Sequence, residues 1–191
     1  METDVEVRDA RTDADLIGDA RRFPECFAAV FDPHYARIFA YAARRLGRDL
    51  AEDVASETFL VAFSRIGGYD GGRPDAAPWL YGIASNLIAR HGRAESRRYR
   101  ALAKIGPDAA VDGHDDAVAG RLDAATARGR LAKALGRLSR HERDVLLLVA
   151  YAGLSQPEVA AALDVPAGTV RSRLHRARQQ MRAALGQGDL G

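Results

Sequence analysis

Between Thr169 and Arg176 the chain reads "TVRSRLHR", which sets Arg171, Arg173 and Arg176 among Thr169, Ser172 and His175. These side chains are hydrogen-bond donors rather than a nucleophile with its base. Guanidinium groups form paired, charge-assisted bonds to phosphate or another planar acceptor, and hydroxyls add neutral ones. If the segment from Ala167 onward is helical, Val170, Leu174, Ala177 and Met181 recur at i, i+4, i+7 and i+11 and share one face. That face packs inward. Arg171, Ser172, Arg173, His175, Arg176, Arg178 and Arg182 then project from the remaining surface with no acid among them, so the expected partner is a polyanion.

Covalent chemistry finds little support elsewhere in the chain. His34, His91, His114, His141 and His175 are scattered without ligand spacing, and Cys26 is the only cysteine, so no cysteine cluster and no internal disulfide exist. "GLSQP" lacks the second glycine of a nucleophile elbow, and "GGYDGG" is not followed by the Lys-Ser/Thr of a phosphate-binding loop. The expectation is a non-enzyme with no catalytic residues, no cofactor and no metal site. No run of about 18 apolar residues occurs, and the acidic start is unlike a signal peptide. A cytoplasmic protein without membrane insertion is expected.

Lys+Arg total 28 against 26 for Asp+Glu, a formal net charge of +2 that conceals strong sorting. The stretch through Asp19 and that from Asp108 to Asp116 are mostly acidic, whereas Arg90 to Lys104 and Arg171 to Arg182 are strongly basic. Two separate basic blocks, each attached to an apolar helical pattern, point to nucleic acid.

The elements that would hold these groups read as all-α, because β-branched alternation is missing. Two small helical domains joined by a flexible acidic linker are expected, the second containing a helix-turn-helix. The boundaries are an acidic, mobile leader over 1–22, a domain over 23–105, the linker over 106–120 and a domain over 121–187. "PECFAAVFD" predicts a short helix from Pro24, and "DPHYARIFAYAARRLG" a second, with Asp32 as cap, Pro33 in the first turn and Gly47 as stop. Phe31, Tyr35, Ile38, Phe39 and Ala42 would line its inner side. "LAEDVASETFLVAFSRIGG" carries Val54, Phe59, Val61, Phe63 and Ile66, too many apolar groups for one stripe, which predicts a centrally packed helix.

"GGYDGGRPDAAP" is a loop by composition. "WLYGIASNLIARHGRAESRRYRALAKI" follows as a helix that begins aromatic and ends basic, weakened or bent at Gly92. After the linker a helix is predicted from Leu122 to Leu138. Capping boxes, Ser139 with Glu142 and Ser155 with Glu158, then announce two more. From Ser155 to Arg176 a short helix, the turn "DVPAG" and a basic helix have the layout of a helix-turn-helix. Leu163, Val165 and Val170 would fill the angle between its helices, and Ala160 lets them cross closely.

These segments carry a family resemblance. "SRHERDVLLLVAYAGLSQPEVAAALDVPAGTVRSRLHRARQQMRAAL" resembles region four of bacterial sigma factors, especially the extracytoplasmic-function group. "FAAVFDPHYARIFAYAARRLGRDLAEDVASETFLVAFSRIGGYDGGRPDAAPWLYGIASNLIARHGR" resembles region two of the same group. Together they cover nearly all of the chain, and the pairing is more restrictive than either alone.

The resemblance implies a subunit of RNA polymerase that supplies promoter specificity and helps to open DNA. By that likeness, Asp53, Glu57, Thr58 and Phe59 mark the surface that docks on the clamp of the largest polymerase subunit. Acids in a first helical half are equally explained by the helix dipole. The loop from Tyr69 to Pro78 and the helix to Arg93 resemble the part that captures the non-template strand of the downstream promoter element. There Tyr69, Asp70 and Asn86 face released bases, and Arg90, Arg93 and Arg97 follow phosphates. Trp79 and Tyr81, aromatics opening a helix after a proline, are read as core. For the duplex of the upstream element, Thr169, Arg171, Ser172, Arg173, His175 and Arg176 are the contact set. An anti-sigma protein is the implied regulator.

Two departures stand out. Many members carry an acid shortly after the asparagine matching Asn86, where this chain has Arg90 and His91; and Asp164 occupies a turn position that commonly holds glycine. A rival reading is a free-standing helix-turn-helix regulator of duplex operator DNA; a third is an adaptor whose first half has lost DNA function.

Overall fold

The computed structural model describes residues 11–104 and 116–186, with side chains in the second stretch from Ala124 onward. Among them every regular element is helical. The chain divides into two compact units, 1–88 with 161–164 and 89–160 with 165–191.

The first unit opens on α1 (Asp13–Ala20), where a mobile leader was expected. Thr12 caps it: its hydroxyl accepts from the Asp15 amide, and the Asp15 carboxylate accepts from the Thr12 amide at 2.9 Å. Ile17 and Ala20 are buried, so the helix is fastened to the unit by apolar contact as well as by its cap. Residues 1–10 of that leader lie outside the described residues.

A 3-10 turn at Pro24–Phe27 leads into α2 (Ala28–Leu46), which runs straight through Asp32 and Pro33. The expected start at Asp32 is therefore corrected. The turn already supplies a proline-led entry, and α2 continues through exposed Pro33 despite the N–H and the space that its ring takes from the ladder. The inner face also turns relative to expectation. Val30, His34, Ile38, Tyr41, Ala42, Arg45 and Leu46 are buried, while Phe31 is exposed and Tyr35 and Phe39 are half-buried. Their rings form an aromatic edge instead, Phe31 lying 4.9 Å from Tyr35 and 4.7 Å from Phe59.

Gly47 stops α2 with φ 96°, a left-handed conformation that glycine adopts without strain. α3 (Arg48–Ser64) then folds back along α2, packing Ala51, Val54, Ala55, Phe59 and Ala62 into the core. α4 (Ala77–Arg90) closes the unit against α2. The Tyr41 ring stands edge-on to Tyr81 at 5.2 Å, and its hydroxyl lies 3.0 Å from Ser85 and accepts from Arg45 at 2.8 Å. Tyr81 is core, as its position after a proline predicts.

α4 ends at Arg90 and α5 (Gly92–Leu102) begins at Gly92, so the long helix breaks where glycine weakens it. α5 packs within the second unit against α6 (Asp116–Arg137). The division therefore falls inside the segment 23–105 that the sequence groups together. Gly136 makes the approach possible, since a Cβ there would stand 3.2 Å from the Tyr99 Cβ. Of the linker, residues 105–115 lie outside the described residues, and 116–120 are already helical.

α7 (Arg140–Ala150) and α8 (Gln156–Leu163) start from the capping boxes of Ser139 with Glu142 and Ser155 with Glu158. Arg143 is the polar hub of this unit. Its guanidinium pairs with buried Glu95 at 2.9 Å, donates to the carbonyls of Leu135 and Leu138, and lies 4.8 Å above the Tyr99 ring. A buried pair with so many partners is satisfied rather than stranded. α9 (Ala167–Leu185) lays Ala177 and Met181 against Ala134 of α6 and Leu138 just beyond its end. The turn before it survives without glycine: Asp164 takes φ 50°, and the Val165 amide bonds the Ala160 carbonyl at 3.0 Å.

Candidate nucleic-acid interface

α9 sorts its residues as its periodicity predicts. Val170, Leu174, Ala177 and Met181 are buried; Arg171, Ser172, His175, Arg176, Arg178 and Arg182 are exposed, with Thr169 and Arg173 half-buried. Pro166 precedes the helix and provides no side-chain cap, which leaves its first amides available to an anion. Two contacts refine the contact set. The Ser172 hydroxyl donates to the Thr169 carbonyl at 3.0 Å, so its lone pairs point outward as acceptors. Arg176 rests 3.4 Å from Glu142, whose carboxyl is held below its ordinary range by the Ser139 hydroxyl first and by Arg176 more weakly. The contact is made by Arg176 Nε, on a side chain that is otherwise exposed.

Asn86 is the one exposed residue from Ala76 to Ile88. A primary amide presented from this largely covered stretch has both donors and its acceptor available to a base edge. The loop before α4 behaves differently. Tyr69 is buried, its ring 4.9 Å from Trp79 and its hydroxyl donating to the Arg73 carbonyl at 2.7 Å. Desolvation first, then the charges of Asp13 and Asp75, push that phenol up to about 12. Tyr69 thus serves as a strut of the loop. Exposed Asp70 accepts from the Gly72 amide at 3.0 Å and from Arg73 Nε at 3.1 Å, closing the turn on itself.

Tyr69, Asp70 and Asn86 belong to the first unit, and Arg90, Arg93 and Arg97 to the second. The three arginines are exposed; Arg93 and Arg97 lie one turn apart on α5.

On α3, Asp53 is exposed and Glu57 half-buried, but Thr58 and Phe59 are buried, with the Thr58 hydroxyl bonded to the Val54 carbonyl at 2.7 Å. The outward position beside the acids goes to Leu60, 71% exposed. Phe23, Phe31 and Phe63 are exposed too. Of the apolar residues of α3 expected to pack centrally, Val54 and Phe59 do so, while Phe63, together with Leu60, faces solvent.

Sequence reasoning also missed a cluster. His34, Asp13 and Asp75 bring one ligand-type atom each within 4.8 Å of one another. The Asp13 carboxylate accepts from Ala76 N at 2.8 Å and lies 2.8 Å from His34 Nε2; Asp75 accepts from the Ala77 amide at 2.7 Å. Hydrogen bonds to the start of α4 account for both carboxylates. The signal was invisible because 21 residues separate Asp13 from His34.

With the geometry in view, comparison with known proteins is decisive. The profile of sigma-70 region 2 matches residues 30–98, and that of sigma-70 region 4 matches residues 128–181. The ECF RNA polymerase sigma factor SigL of Mycobacterium tuberculosis is 35% identical over 82% of this chain and 87% of its own. The chain belongs to the extracytoplasmic-function (ECF) group of the sigma-70 family. SigC of the same species is 34% identical over 73% of this chain and 72% of its own, and SigW of Bacillus subtilis 29% identical over 84% and 89%. Among solved structures, CnrH in complex with the cytosolic domain of CnrY aligns with a TM-score of 0.62 at 26% identity, covering 93% of this chain and 99% of that one. In sigma terms, Asp53 to Arg97 of the candidate set lie in region 2 and Thr169 to Arg176 in region 4. α5 is a region 2 helix up to residue 98, although it packs with the second unit.

Proposed function

We propose that this ECF sigma factor divides promoter recognition between two surfaces, with the observation that carries the reading being the presence of both sigma regions, in family order, in one chain. As a sigma factor it binds core RNA polymerase and directs it to promoters; a free-standing operator-binding regulator would need only the helix-turn-helix. α9 enters the major groove of the upstream element, its apolar stripe seated on α6 and α7 and its arginines reaching base edges and phosphates. Arg171 and Arg173 read or position, Arg176 adds its outward guanidinium nitrogens, and Thr169 with the first amides of α9 meets phosphate.

Opening the downstream element unpairs and unstacks bases, a cost that must be offset by contacts available only to the displaced strand. Asn86 offers an amide to a flipped base edge, and Arg90, Arg93 and Arg97 give the backbone a cationic track. On α3, Asp53 and Glu57 flank exposed Leu60, a mixed acidic and apolar face suited to the polymerase clamp. Thr58 and Phe59 support that face from beneath. The protein performs no covalent chemistry and works in the cytoplasm, where polymerase and promoter DNA meet. An anti-sigma protein that covers the apolar surface is the proposed regulator, and recovery of polymerase alone from cells would contradict that part.

The test is promoter binding with and without core enzyme. Tight, specific binding that requires core polymerase supports the sigma reading; equally tight binding by the isolated chain to a duplex site contradicts it.

A further inference from the structure

The loop between α3 and α4 is held at both ends by one short helix. At its beginning, the Arg21 guanidinium donates to the carbonyls of Ile66 at 3.2 Å and Gly67 at 3.0 Å. At its end, Ala76 N donates to the Asp13 carboxylate at 2.8 Å. Asp13 is the first residue of α1 and Arg21 its C-cap, so the two tethers are the two ends of one rigid rod. Buried Ile17 and Ala20 fix that rod between them.

Asp13 is itself oriented. Its tethering oxygen also lies 2.8 Å from His34 Nε2, and His34 is buried in α2, so the carboxylate cannot swing away without stranding a buried ring. Desolvation raises the Asp13 carboxyl, yet the bonds from His34 and Ala76 outweigh it and hold the group below its ordinary range. Within the loop, Tyr69 grips the Arg73 carbonyl and Asp70 closes on Gly72 and Arg73. The loop is therefore stiff inside, and its placement relative to Asn86 is set by where its ends are pinned.

We propose that α1 is a strap that sets the posture of the strand-capturing loop, and that Asp13 and Arg21 are positioning residues for base discrimination at the downstream element. The inference rests on the reading that this loop and Asn86 hold the displaced strand. A loop pinned at both ends presents its contacts with little entropy left to lose on binding; a loop freed at either end must be ordered at each encounter.

The experiment uses holoenzyme reconstituted from core polymerase and the full chain. Transcripts are counted from a mixture of a native promoter and versions with single-base changes in the downstream element. The ratio between native and changed promoters cancels any loss of active protein, so a merely destabilising substitution leaves it unmoved. Asp13→Ala and Arg21→Ala are each expected to lower that ratio about fivefold. Arg21→Lys should restore part of it, and Asp19→Ala, on the same helix without a side-chain bond to the loop, should keep it. Arg21 is exposed, so its variants fold. Asp13→Ala and Arg21→Ala proteins that make fewer transcripts at the wild-type ratio would overturn the proposal and leave α1 a fold stabiliser. A wild-type holoenzyme indifferent to those base changes would overturn the loop-and-Asn86 reading, and the strap with it.

Discussion

Asn86 and Tyr69 come from the same polar, aromatic-rich stretch and end in opposite environments. Asn86 is the one exposed residue of α4 before its last turn, while Tyr69 is an internal strut bonded to Arg73. Asn86→Ala is expected to slow promoter opening about tenfold, read from a fluorescent base analogue in the downstream element, with core binding unchanged. In the upstream set, Arg171→Ala should cost about 1 to 3 kcal/mol of promoter affinity and relax preference at one upstream position. Arg97→Ala should instead weaken binding across sequences and lower the salt slope by about one. Glu142 links this surface to the scaffold. Its carboxyl titrates below the ordinary 4.5 because the Ser139 hydroxyl bonds the ionised form. A depressed folded value gives stability that is present above the unfolded value and lost as pH falls through the folded one. Glu142→Gln should therefore be less stable than wild type at neutral pH, with the gap closing as pH falls below 4.5. Denaturant midpoints along a pH series check this, and a gap constant with pH would contradict it.

At the scale of elements, α9 was legible and α1 was not, for physical reasons. A 19-residue helix repeats its apolar spacing often enough that Val170, Leu174, Ala177 and Met181 define a face from sequence alone. α1 has 8 residues and a capping box closed by aspartate, so Thr12 and Asp15 before Leu16 and Ile17 were the only available signal. Two of the acids that mark this stretch as a leader, Asp15 and Asp13, are its cap and its tether. For α2 the Asp32-Pro33 pair imitates a helix start, but the preceding turn and the burial of Val30 extend the helix across it. Both paired capping boxes ahead of α7 and α8 were readable because they are local; the Glu95–Arg143 pair, 48 residues apart, was not. Removing one member leaves a charge buried without its partner. Arg143→Ala is expected to lower the unfolding free energy by about 3 to 5 kcal/mol in denaturant titration. A loss near zero would show that the pair adds nothing to the unit.

For the whole molecule, the pairing of regions two and four was legible because motif order survives at low identity. The grouping of helices was not, because sequence adjacency does not say which side a helix packs on: α5 follows α4 directly yet shares its core with α6 and Arg143. The docking face shows the same limit. Family likeness points to α3, but only the fold reveals that Leu60 rather than Phe59 faces outward. Leu60→Asp is expected to weaken core-polymerase binding about tenfold without changing the thermal midpoint, since this side chain supports no core. The most direct test of the central claim is transcription reconstituted from core polymerase and native upstream fragments, with every transcript start sequenced. Discrete starts that appear only when this protein is added, sharing aligned upstream and downstream elements, are the expected result. An unchanged pattern of starts, with tight duplex binding by the protein alone, would contradict it.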